Sequence, residues 1–158
     1  MSTKSTIGIK RLDGSEDVIY CHWDGYISHN GVYLQLYYDT PEKIENLLKL
    51  GNISSLQETI DKSHAYHRDG GEKWADGKGY GKQEYNYVFD EHDGLWYVTE
   101  ERLEHGRAYY INKPLISALY ETKESLTEEW SDYDGNLMDV LVEKALSQLC
   151  TAKQSKWK

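Results

Sequence analysis

Twice in this chain a short run of alternating apolar residues meets a turn signal and is followed by a second strand-like run. Ile7 and Ile9 alternate with small or polar residues between Ser5 and Arg11, Asp13-Gly14 supplies the turn, and Asp17 to Asp24 follows. Tyr85, Tyr87 and Phe89 alternate, His92-Asp93-Gly94 turns the chain, and Leu95-Trp96-Tyr97-Val98 returns. Alternation with a period of two puts one set of side chains on a buried face, and Asp-Gly favours tight reversal. Two such hairpins predict a sheet that is mainly antiparallel. Arg107 to Ile111 reads as a further strand.

Helical signals lie between and after the strands. Thr40-Pro41-Glu42 places a capping hydroxyl, a proline at the first helical position and an acid in the first turn. Ile44, Leu47 and Leu48 give that helix its buried stripe, and Gly51 its stop, so a helix is expected over Pro41–Leu50. Val32 to Tyr37 fits a short helix better than a strand. Ile53 to Ile60 is read as one or two further helical turns, and His64 to Asp69 as extended. Pro114 opens a helix carrying Leu115, Ile116, Leu119 and Tyr120. Leu137, Val140, Leu141, Ala145 and Leu149 recur at helical spacing, which predicts an amphipathic helix over Asn136–Leu149. The fold class expected is α+β: one domain over residues 1–158, with 152–158 as a frayed tail.

The chemistry concentrates in Tyr20-Cys21-His22-Trp23-Asp24-Gly25-Tyr26. If the strand runs through it, Tyr20, His22 and Asp24 share one face while Ile19, Cys21 and Trp23 turn to the core. The same His-x-Asp spacing recurs in His67-Arg68-Asp69. Two such pairs, facing one another, would offer two imidazoles and two carboxylates to zinc or another divalent ion. The expected ligands are therefore His22, Asp24, His67 and Asp69, with His64 and Cys21 in reserve. Each pair also has a plain reading as a hydrogen-bonded surface histidine. The glycine-rich run Gly77-Lys78-Gly79-Tyr80-Gly81-Lys82 lacks phosphate-loop spacing, and Gln83 stands where Ser or Thr belongs. It is read as a loop.

Charge narrows the function. With 27 acidic and 18 basic residues the chain carries −9, against a general affinity for nucleic acid or anionic membrane. Residues 83–143 hold 15 acidic and 4 basic side chains. Tyrosine (14) and tryptophan (5) far outnumber phenylalanine (1), a composition suited equally to surfaces buried on binding and to a thin sheet with wet faces, where tyrosine is a good strand residue. Glu91, Asp93, Glu100, Glu101 and Glu104, with Glu128, Glu129, Asp132 and Asp134, are the expected contacts to a basic protein. No apolar segment follows Met1-Ser2-Thr3-Lys4-Ser5, and two distant cysteines fit a reducing compartment, so a cytoplasmic protein is expected.

Tyr20–Tyr26, Thr40-Pro41-Glu42-Lys43, Leu50-Gly51-Asn52-Ile53-Ser54-Ser55-Leu56 and Ala65-Tyr66-His67-Arg68-Asp69, in this order, resemble a family of small proteins encoded by phages and prophages. The resemblance covers about the first half of the chain. The family pattern continues Arg-Asp-Arg-Gly-Glu, and here Gly70 stands at the second arginine. Small acidic phage proteins of this sort include inhibitors of bacterial immunity, among them type II-A anti-CRISPR proteins that block the Cas9 nuclease. The resemblance thus implies a bacterial-host cytoplasmic inhibitor of a type II CRISPR nuclease. The alternative is a metal-dependent hydrolase or nuclease using the His/Asp cluster, with Glu72 as its acid or base.

Overall fold

Ile7 and Ile9 alternate along β1 (Ser5–Lys10), and both are fully buried. β1 turns through Gly14 (φ 89°) into β2 (Glu16–Cys21), pairing Ser5 with Cys21 and Lys10 with Glu16. Asp13 holds the turn by accepting the Ser15 N–H at 2.9 Å. The computed structural model describes residues 3–70 and 83–129. The expected helix over Asn136–Leu149 and the tail at 152–158 lie outside those residues.

After β2 the chain climbs onto one face of the sheet. A π-helical turn, Ile27–Gly31, runs into α1 (Val32–Tyr37). α2 (Pro41–Leu48) starts where its caps predict: the Thr40 hydroxyl accepts the Lys43 N–H at 3.3 Å. Gly51 (φ 72°) then redirects the chain past the helix end. β3 (Ile53–Ser55), β4 (His64–Ala65) and α3 (Tyr66–Gly70) follow. The second half supplies β5 (Tyr85–Asp90), β6 (Leu95–Glu104), β7 (Arg107–Pro114) and α4 (Leu115–Glu129).

The seven strands form one sheet in the order β4-β3-β2-β1-β5-β6-β7. The α+β class holds, but the sheet is mixed. Four junctions are antiparallel, while β1–β5 and β2–β3 are parallel. A parallel pair needs a long crossover, and residues 22–52, with the π-turn, α1 and α2, provide one between β2 and β3. Alternation reveals strands and hairpins. It does not reveal which strand takes the second edge of β1.

Two local expectations are corrected. Ile53 to Ile60 holds β3 instead of helical turns, because Ile53 pairs with both Cys21 and Ala65. Only His64–Ala65 of the next segment is extended, and Tyr66–Gly70 is helical. Asp69 stabilises this turn by accepting the Ala65 N–H at 2.8 Å.

All the buried apolar side chains on one sheet face meet the helices. Ile7, Ile9, Ile19, Tyr87, Phe89, Trp96 and Val98 pack with Val32, Leu34, Ile44, Leu47, Leu115 and Leu119. Trp96 is tied to this layer by an indole N–H donated to the Tyr38 carbonyl at 2.9 Å. The opposite face mixes polar side chains with Val18 and Val88. Thr6, Lys10, Asn86, Asp90, Tyr97 and Thr99 help line a shallow groove of about 740 Å³ across it. No helix among the described residues is long and apolar enough to cross a membrane.

Candidate functional site

β2 ends at Cys21, so the heptapeptide does not continue as a strand. His22 and Trp23 still donate their N–H groups to Ile53 and Ser54 carbonyls at 3.1 and 2.9 Å. Asp24 then takes a left-handed conformation (φ 55°), which Asp tolerates better than most residues. That twist breaks the alternation. Trp23, expected in the core, is 46% exposed.

Gly25 is fixed by close approach. Its N–H donates to Thr3 at 2.8 Å, its carbonyl accepts the buried Tyr87 hydroxyl at 2.6 Å, and a Cβ there would lie 2.8 Å from the Thr3 oxygen. Cys21 faces inward, receives the Asn30 amide at 3.4 Å, and its thiol is pushed up to about 11 by burial. A buried thiol held protonated is a poor metal ligand.

The expected metal ligands do not assemble. Among the described residues no group of three or more His, Cys, Asp or Glu side chains is placed to hold an ion. His22 shares a 2.8 Å hydrogen bond with the Tyr20 hydroxyl through Nδ1. Asp24 accepts the Tyr26 hydroxyl at 3.1 Å and faces His29 at 4.0 Å. Asp69 is bound by Arg68, with 3.0 Å contacts to both oxygens, and by the Ala65 N–H. The Arg68 hydrogen bonds, then that of Ala65, lower the Asp69 carboxyl to about 2. His67 is exposed on α3, and His64 sits edge-on to Tyr66. Among the described residues the four expected donors are therefore not gathered into one group.

The expected acidic contacts fall into separate places. Glu91 and Asp93 lie in the β5–β6 turn, where Asp93 accepts the Leu95 N–H at 3.0 Å and the Tyr97 hydroxyl. That bond to Asp93, followed by burial, pushes the Tyr97 hydroxyl up to about 12. Glu101 and Glu104 lie at the other end of β6, on the order of 30 Å away at the rise of a strand. Glu100 is no surface contact: it is 9% exposed and paired with Arg102 at 3.0 Å. Glu128 and Glu129 end α4, where only the backbone is described, and Asp132 and Asp134 lie outside the described residues.

The strand β6 and its partner extend well past the core. β6 was expected to end near Val98, yet it runs to Glu104. β5 pairs with it only as far as Glu100, with one further bond from the Glu101 N–H to Glu84. Beyond that, among the described residues, β6 and β7 pair only with each other, Arg102 opposite Tyr109 and Leu103 opposite Ala108. His105 (φ 53°) and Gly106 (φ 78°) close this arm with two left-handed residues, as a tight hairpin turn requires. Every residue from Glu101 to Tyr110 is exposed, Leu103 at 76%. The two-residue His-Gly turn was the available signal.

Comparison of the chain with protein-family models, with curated proteins and with solved structures found no match.

Proposed function

We propose that this is a binding protein that docks on a protein partner through the β6–β7 arm. The observation that supports the reading is the arm itself. It leaves Leu103 exposed on the face shared with Glu101, and Tyr109 exposed on the face shared with Glu104. Exposed aromatic and aliphatic anchors are costly to leave in water and give most of the binding energy of an interface when covered. Within the arm Glu101 and Glu104 are balanced by Arg102 and Arg107, so the preference for a basic partner rests on the chain's net charge of −9. Partner identity comes from the phage-protein resemblance alone, which points to a type II CRISPR nuclease and hence to an anti-CRISPR activity.

The test compares the parent chain with Leu103→Ser/Tyr109→Ser and with Glu101→Lys/Glu104→Lys. Affinity for the nuclease and inhibition of DNA cleavage are both measured. Loss of the apolar anchors is expected to weaken binding by at least tenfold through faster dissociation. Charge reversal is expected to slow association and reduce its salt dependence. Both variants should melt like the parent, because the sites are exposed. An arm-deficient variant that binds and inhibits like the parent would remove the arm from the mechanism. A parent protein with no micromolar affinity for the nuclease would remove the partner.

A further inference from the structure

His29 sits in the π-helical turn with one nitrogen already committed. Asn30, fully buried, donates its amide to Ser5 Oγ at 3.1 Å and to Cys21 Sγ at 3.4 Å. Its carbonyl oxygen is therefore the atom that meets His29 Nδ1 at 3.0 Å, and Nδ1 carries the proton. In the neutral ring Nε2 is then an acceptor. It lies 4.0 Å from Asp24 Oδ2. In that neutral form two acceptors face each other across 4.0 Å.

Such a pair is complementary to a positively charged donor. A nitrogen giving two protons at about 2.9 Å each spans acceptors roughly 4–5 Å apart. Aromatic rings complete the surroundings. Tyr26 lies 6.1 Å from the His29 ring and Tyr33 4.5 Å from it. Both contacts with the His29 ring are edge-to-face, and a cation gains from either tyrosine only where it lies over a ring face. Burial, and then the Asp24 charge, push the Tyr26 hydroxyl up to about 12, consistent with negative potential here. The side chain of Asp24 is 43% exposed, so the notch opens to solvent. Two protein donors are fewer than a resident zinc requires.

From this geometry we infer that Asp24 Oδ2 and His29 Nε2, flanked by Tyr26 and Tyr33, form a notch for one cationic side chain, lysine or arginine, of a protein partner. The left-handed backbone at Asp24 is what swings the carboxylate over the histidine instead of along the strand. The inference does not depend on the β6–β7 arm, which is a separate part of the sheet.

The experiment follows the His29 imidazole nitrogens by NMR at pH 8 in the full chain. Acetyl-Gly-Arg-Gly-amide, its lysine counterpart and its citrulline counterpart are titrated in turn, and zinc chloride separately. Either cationic peptide is expected to shift Nε2 and the Tyr33 ring saturably, with citrulline at least tenfold weaker. Asp24→Asn, whose side chain suits the same backbone, should weaken the response at least tenfold while its amide spectrum stays dispersed. Glu101→Lys/Glu104→Lys should respond like the parent, which separates this site from the arm. The idea fails if neither cation moves Nε2, if citrulline matches arginine, if Asp24→Asn binds normally, or if zinc alone shifts the ring.

Discussion

Tyr87→Phe removes one oxygen from the middle of the sheet, and its effect can be worked out from the contacts. Tyr87 is fully buried on β5, and its hydroxyl donates to the Gly25 carbonyl at 2.6 Å. Gly25 is itself buried. The substitution deletes a hydrogen bond with a net contribution of about 1 kcal/mol, and an unsatisfied buried carbonyl costs about 1–3 kcal/mol. A loss of about 2 kcal/mol is the central expectation. For a chain of this length that lowers Tm by roughly 4–8 °C. In urea it moves the midpoint down by about 1 M with an unchanged slope. Amide exchange at Gly25, whose N–H is held by Thr3, should accelerate in step. A midpoint within about 0.2 M of the parent, with Gly25 exchange unaltered, would refute the claim that this hydroxyl anchors the loop after β2.

Leu47→Ala empties a fully buried position beneath α2 and should cost about 2–5 kcal/mol in denaturant melts. Gly25→Ala forces a methyl group against the Thr3 oxygen and the Ser5 side chain, so a loss of about 1–3 kcal/mol is expected by thermal melting. Asp69 is held below its ordinary value by Arg68 and Ala65, with a folded value of about 2. A depressed carboxyl stabilises above its unfolded value, and that contribution is lost as pH falls from about 4 towards 2. Carboxyl carbon shifts of Asp69 should titrate near 2, and a midpoint near 4 would show that the Arg68 contacts do not form in solution.

The parts of the fold written in local chemistry were legible. Thr40-Pro41 and Gly51 bracket α2 because caps act through neighbouring backbone groups. The two Asp-Gly turns fix their hairpins for the same reason. What escaped was set at long range. β3 pairs with Cys21 and Ala65, and those contacts override a segment whose own pattern suits a helix. The heptapeptide misled because alternation assumes continued extension, whereas Asp24 turns left-handed. Spacing along a continued strand would pair His22 with Asp24. The pair that meets is Asp24 with His29, which only the π-helical turn brings round. Glu100 was read as exposed because a run of acids suggests a solvated face, yet its inward position on β6 and its Arg102 partner make it interior.

β1 lies at the centre of the sheet, with its second edge completed by β5. Thr6 donates to Asn86 across that junction at 2.7 Å, a bond between residues 80 apart in the chain. During synthesis β1 and β2 emerge together, but the other edge of β1 must wait. At about 5–20 residues per second the delay is roughly 4–16 s on the ribosome. For that interval the strand carrying Ile7 and Ile9 presents an open edge that could pair with another nascent chain. Slowing translation between residues 22 and 85 should therefore lower the yield of native protein, and a chaperone that shields strand edges should restore it.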